Sequence, residues 1–147
     1  MTEFVFVTSD SYLGNGELVS ARQVASNRIN RLYWPLGPRT PNRASIVRND
    51  IGLIYIAGKG EEKGLVVSIV KVTDILRGKP EEVFEADQGM LIASHLEIQL
   101  VKEVSINLKN SLIEAGIVSP ANKKWGAILT GGVRKVKGLE LSSMIKE

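Results

Sequence analysis

Two apolar runs constrain this chain more than any other feature. Residues 51–57 and 65–72 are β-branched and almost unbroken, and between them stands Gly58-Lys59-Gly60-Glu61-Glu62-Lys63-Gly64. β-Branched side chains suit a pleated strand, and a run without polar alternation leaves no solvent face. The pair therefore reads as a hairpin with a charged, glycine-rich tip. Its strands should be buried on both faces, as in a small barrel.

The remaining segments supply partners for that hairpin. Residues 4–8 are apolar and β-rich, bounded by Ser9-Asp10-Ser11, and predict a first strand. Leu18, Ala21, Val24, Ala25, Ile29 and Leu32 recur at spacings of three and four, which predicts one face of a helix over 17–32. Residues 33–42 carry three prolines and one glycine, so they read as a loop, stiff for its length. Residues 74–86 are polar and loosely helical, broken by Gly78-Lys79-Pro80. Residues 94–106 alternate, with Leu96, Ile98 and Leu100 on one side and Glu97, Gln99 and Val101 on the other, and predict a strand. Asn107 as N-cap and Gly116 as stop frame a short helix over 108–115. A last strand over 125–133 and a terminal helix over 139–146 complete the reading. The sum is α+β: a mixed β-barrel of five to six strands flanked by helices, in a single domain over residues 1–147.

Composition removes several kinds of chemistry. The chain has no cysteine and one histidine, His95. Disulfides, zinc–thiolate and iron–sulfur sites, a cysteine nucleophile and a histidine-rich metal site are excluded. No apolar run has the length of a membrane-spanning helix. The N-terminus lacks the basic and apolar regions of a signal peptide, so a cytoplasmic location is expected. Charge, by contrast, is informative in its distribution. The net charge is +3, yet residues 18–49 hold six arginines and no acid, and residues 115–139 hold five bases and no acid. Residues 61–103 hold nine acids against five bases. Such asymmetry points toward an anionic partner.

The familiar catalytic patterns are weak here. Gly58, Gly60 and Gly64 have the wrong spacing for a dinucleotide loop, and Glu61 and Glu62 would repel phosphate. Thr130-Gly131-Gly132 reads as a bend where glycine lets backbones approach closely, or as a place where a ligand does so. His95 has no nominated nucleophile or orienting partner. The acid pairs Glu61-Glu62 and Glu81-Glu82 fall in turns, where carboxylates are solvated. No catalytic residue is nominated.

The arginine segment carries more. Arginine's planar fork suits phosphates and base edges better than lysine's point charge. Tyr33 and Trp34 are interleaved with it, in a chain of two tryptophans, three tyrosines and three phenylalanines. Aromatic faces stack on unpaired or flipped bases. The bland counterpart is a helix whose arginines solvate its outer face while Tyr33 and Trp34 fill the core.

Trp34-Pro-Leu-Gly-Pro-Arg39-Thr-Pro-Asn42-Arg43-Ala44, followed by Asn49-Asp50-Ile-Gly-Leu-Ile-Tyr55, resembles the EVE domain of the PUA-like superfamily, which is related to YTH and ASCH domains. The strand from Gly64, the stretch Leu96-Glu-Ile-Gln-Leu-Val101 and the ending around Arg134-Lys135 resemble later elements of that family in the same order. The turn reads Asn49-Asp50 where the family prefers Gly-Asp, and Ile56-Ala57 replaces its usual His-Ser. The resemblance implies a pseudo-barrel whose pocket takes a modified base flipped out of DNA or RNA. It implies Trp34, Arg39, Thr40, Asn42 and Tyr55 as the base pocket, with Trp34 and Tyr55 as walls and Thr40 and Asn42 reading the base edge. Arg43, Arg48, Arg134 and Lys135 are the implied phosphate contacts. No cofactor, metal or membrane partner is implied.

The functional reading is a non-catalytic nucleic-acid-binding module, with recognition of a modified base as its sharper form. Two alternatives stand beside it. One is an enzyme acting on a nucleotide or RNA, which would need a cluster such as Asp50 with Glu97 or Lys135 in the pocket. The other is a small-ligand or protein-adaptor domain. The nucleic-acid reading also makes a spatial demand: the two acid-free segments should meet, and the acidic middle should lie away from them.

Overall fold

The hairpin read from the two apolar runs forms the middle of a sheet. In the computed structural model, which describes residues 2–60, 62–129 and 131–136, the elements run β1 (Glu3–Thr8), β2 (Ser11–Tyr12), β3 (Leu18–Val19), α1 (Ala21–Asn30), β4 (Tyr33–Leu36), β5 (Ile51–Ile56), β6 (Leu65–Arg77), β7 (Ser94–Asn107), α2 (Leu108–Glu114) and β8 (Val133–Val136). Three short 3-10 turns lie at Arg43–Ser45, Glu85–Asp87 and Trp125–Leu129. Six strands form one sheet in the order β4-β7-β6-β5-β1-β8. β1 and β5 are parallel, and the other neighbours are antiparallel.

Every residue of β5 is buried, as its lack of alternation requires. One face packs Phe4, Phe6, Ile54, Ile56 and Val70 against Ala21, Ala25 and Ile29 of α1. The other packs Val5, Leu53, Tyr55 and Ile69 against Leu108 and Leu112 of α2. The sheet also curls. β4 and β8 are its two edges, yet Trp34 and Val133 share one core cluster, and the Trp34 ring stacks on Phe6 with centroids 5.7 Å apart. The result is an α+β half-barrel whose edges turn toward each other.

Several boundaries differ from the sequence reading. α1 begins at Ala21, where the Ser20 hydroxyl accepts from Gln23 N and the Asp10 carboxylate accepts from Ala21 N at 2.8 Å. Leu18 belongs to the β2–β3 ribbon, and Leu32 is exposed beyond the helix. The expected loop over 33–42 opens with a strand: proline is tolerated on an edge strand, and Pro35 sits opposite His95 on the outermost one. β6 runs on to Arg77 where a loose helix was expected, its register shifting against β7 at three points. The expected strand over 125–133 is a 3-10 turn followed by β8. The helix from Asn107 to Gly116 forms as expected, with the Asn107 carboxamide accepting from Asn110 N and Gly116 at φ +76°. Glu61, Thr130, Lys137 and the helix expected over 139–146 lie outside the described residues. No helix among the described residues is long and apolar enough to cross a membrane.

Candidate functional site

The curl leaves a cavity of about 270 Å³ between the sheet edges and α1. Trp34 to Leu36 of β4 form one wall and Gly131 to Val133 the opposite one, with Arg28 and Val24 of α1, Asp87 and Thr40 between them. The two walls are joined directly. Asn42 Nδ2 donates to the Val133 carbonyl at 3.3 Å. Pro41 lies against Gly131 so closely that a Cβ there would stand 2.6 Å from the proline ring. Gly131 and Gly132 also have φ of +95° and +93°, so this tight turn requires glycine and lines the cavity as well.

The acid-free segments therefore meet, one supplying α1, β4 and the loop after it, the other supplying the 131–136 edge. The acidic middle is not set apart as expected. Glu62 pairs with Arg22 at 2.9 Å, Asp74 with Arg48 at 3.0 Å and Asp87 with Arg28 at 2.7 Å. Half of the arginine cluster is thus neutralised by carboxylates that the topology folds back onto it. Arg31, Arg39 and Arg43 form no ion pair with a described residue.

The deepest polar feature is a network on the cavity floor. Arg28 grips Asp87 with two prongs, Nε to Oδ2 at 3.0 Å and Nη2 to Oδ1 at 2.7 Å. Tyr33 donates its hydroxyl to Asp87 Oδ2 at 2.7 Å. The pair is nearly dry, with side chains 11% and 3% exposed. Arg28 also lies over Trp34, 4.7 Å from the ring centroid. Burial, and then the hydrogen bond to Asp87, push the Tyr33 hydroxyl far above the usual tyrosine range. A group whose pKa rises on folding contributes stability that is complete below its unfolded value, about 10, and is lost as pH climbs past it. Thermal unfolding should therefore shift downward above about pH 10, and Tyr33→Phe should flatten that decline. Tyr55, raised by burial, has the same sign and should leave a residual slope.

The residues expected to form the base pocket divide. Trp34 and Thr40 line the cavity, and Asn42 stands at its seam. Thr40 Oγ1 accepts from Gly37 N at 3.0 Å, and Asn42 spends one amide donor on the seam. Trp34 is 2% exposed, with Phe6 stacked on it and Arg28 over it, so it offers an approaching ring no free face. Arg39 is exposed on the loop and does not line the cavity. Tyr55 is not brought there: it sits on the opposite face of β5, edge-on to Trp125 at 6.2 Å. Its position between Ile54 and Ile56, both on the α1 side, sends it the other way.

Among the expected phosphate contacts, Arg43 lies on the turn after Asn42, and Lys135 shares the Val133 face of β8. Arg134 points to the other face of that strand, opposite Val5. Arg48 is held by Asp74, whose carboxyl is kept below its usual range by the Ile75 N–H and then by Arg48 itself. The example cluster of Asp50 with Glu97 or Lys135 does not line the cavity, although Asp10, Arg28 and Asp87 do. Asp50 is buried as an acceptor for Thr2 N and Val47 N, and Glu97 is exposed on β7. His95 is buried, and its Nδ1 donates to the Gly78 carbonyl at 2.8 Å.

Arg28 and Asp87 were not singled out in the sequence. They stand 59 positions apart, and Asp87 was one acid of the 61–103 stretch expected to lie away from the basic segments. The sequence signal was weak, because Arg22 beside Ala21 and Arg28 beside Ile29 both adjoin the apolar stripe of α1.

No family model and no curated protein matches the chain. Solved structures do. Over 99% of its length the chain is similar to human THYN1 protein in complex with 5-methylcytosine-containing DNA, with a TM-score of 0.58, 11% identity and 96% of that chain covered. It is similar over 99% to a mutant of ZmASCH from Zymomonas mobilis, with a TM-score of 0.54, 9% identity and 98% of that chain covered. It is also similar over 99% to Rpa0253 from Rhodopseudomonas palustris, with a TM-score of 0.56, 15% identity and 92% of that chain covered. At such identities the likeness establishes the fold. The chain has the PUA-like fold. In fold alone it resembles the THYN1 and ASCH structures among these neighbours.

Proposed function

We propose that this chain is a non-catalytic nucleic-acid-binding module whose cavity receives a single flipped base, with a modified base as the preferred guest. The observation that carries the reading is the cavity itself, built where the two acid-free segments meet. Its volume of about 270 Å³ exceeds the roughly 150 Å³ that holds one benzene, and falls below the size of most cofactor pockets. It therefore suits one aromatic heterocycle. In this reading Arg39 and Arg43 on the loop and Lys135 on β8 supply the charge for the flanking phosphates. The structural likeness to THYN1 with 5-methylcytosine-containing DNA supports the same reading and makes DNA the first polymer to try. The carboxylates at the cavity are committed to structural donors, Asp87 to Arg28 and Tyr33 and Asp10 to Ala21 N, which favours binding over catalysis.

Anisotropy titrations with duplexes carrying cytosine or 5-methylcytosine, and with matched RNA, test this. If three cations contact phosphates, affinity should fall about 40-fold between roughly 50 and 200 mM salt. Arg39→Ala and Arg43→Ala should each lower the log–log salt slope by about 0.9, with equal loss on modified and plain DNA. An unchanged slope in both variants would remove the loop from the interface. Equal affinity for modified and plain duplexes would leave a DNA-binding module that reads no modification.

A further inference from the structure

Arg28 carries five N–H donors on its guanidinium, and only part of that capacity is used. Nε and Nη2 are spent on Asp87. Among the described residues, none accepts from Nη1. The side chain is 11% exposed and lines the cavity, and Nη1 is not among the buried atoms that lack a partner, so it faces the solvent that a guest would displace. The group cannot easily turn elsewhere: Asp87 holds two edges of the fork, Tyr33 holds Asp87, and the Trp34 ring lies beneath. A charged donor fixed in place and half satisfied selects for an acceptor in whatever enters.

We infer, resting on the nucleic-acid reading above, that Arg28 is the specificity-determining residue of the cavity. The guest it selects is a base that presents a carbonyl oxygen to Nη1. Cytosine and its 5-substituted forms offer O2 beside the acceptor N3, guanine offers O6 beside N7, and thymine and uracil carry two carbonyls. Adenine has no carbonyl: where those bases place an exocyclic oxygen it places the N6 amino donor, and it can accept from Nη1 only through a ring nitrogen, N1, N3 or N7, which requires a shifted pose. A fixed donor that a guest seals from water discriminates against a guest that leaves it unpaired. Arg28 does this without supplying a stacking face of Trp34, which Phe6 and Arg28 already cover.

The test uses the full chain and duplexes identical except at one central position. There cytosine, thymine, guanine or adenine is placed opposite an abasic site, which removes the differing costs of breaking a base pair. The carbonyl-bearing bases should bind about tenfold or more tightly than adenine. Arg28→Lys keeps the charge and loses the planar fork, so the ratio should contract to about twofold with the salt slope unchanged. Should R28K melt near the assay temperature, wild-type protein labelled with 15N-arginine supplies an independent readout. Its Arg28 Nη1 protons should exchange more slowly with the cytosine duplex than with the adenine duplex. Equal binding of all four bases, a base preference that survives in folded R28K, or Nη1 exchange indifferent to the base overturns the role of Arg28. Failure of the underlying reading looks different: no duplex binds, or a doubly abasic duplex binds as well as the rest. Either result overturns both.

Discussion

Replacing Asp87 with alanine should destabilise the chain by about 3–5 kcal/mol, the usual effect of removing one partner of a buried ion pair. The carboxylate is 2% exposed and accepts from Arg28 Nε, Arg28 Nη2 and the Tyr33 hydroxyl. Alanine leaves the guanidinium buried without its counter-charge, and leaves a buried phenol without an acceptor. In urea the midpoint should fall by roughly 2 M with the slope unchanged. A loss below about 1 kcal/mol would mean that water already reaches the network. The double change Arg28→Met with Asp87→Leu separates two roles of the pair. Because a well-packed apolar pair often replaces a buried salt bridge without loss, the stability should return except for the share lost to the Tyr33 hydroxyl, which still lacks its Asp87 acceptor. Base discrimination should not return, since the donor is gone. That outcome would assign the network to specificity at a site where stability alone could be met by apolar packing.

What could be read from the sequence follows from the range of the interactions involved. β1, β5 and the first half of β6 were legible because burial on both faces writes itself into consecutive residues. α2 was legible because Asn107 and Gly116 are local start and stop signals. β4 was hidden because Pro35 argues against a strand until the strand is known to be an edge. The second half of β6 was hidden because residues 73–77 alternate at a sheet margin, with polar side chains that suit a loop equally well. At the site, the resemblance identified the loop that makes the wall, and with it Trp34, Thr40 and Asn42. It did not identify the side of β5 on which Tyr55 falls, which depends on strand parity. Nor could it identify the acids that reach back to Arg22, Arg28 and Arg48, because those pairings belong to the tertiary fold. The charge runs marked where the two segments would meet, while the usable positive charge is smaller than the runs suggest.

Trp34→Ala should cost a further 3–5 kcal/mol class of stability, as large-to-small changes of a buried tryptophan do. Trp34 is 2% exposed, stacks on Phe6 at 5.7 Å and supports Arg28 at 4.7 Å. Removing the indole empties the centre of the α1-side core and takes the floor from under the guanidinium. For a chain of this size each kcal/mol moves the melting point by about 2–4 °C, so a fall of roughly 10–15 °C is expected by calorimetry. A fall of less than about 3 °C would show that the indole is a free wall available to a base, contrary to its burial. This matters for how binding data are interpreted. Lost oligonucleotide binding in the Trp34 variant reports a collapsed cavity whether or not the indole touches DNA. Arg28→Lys keeps the indole and the charge while removing the planar fork, so in protein shown to be folded it is the substitution in which a change of base preference reports recognition.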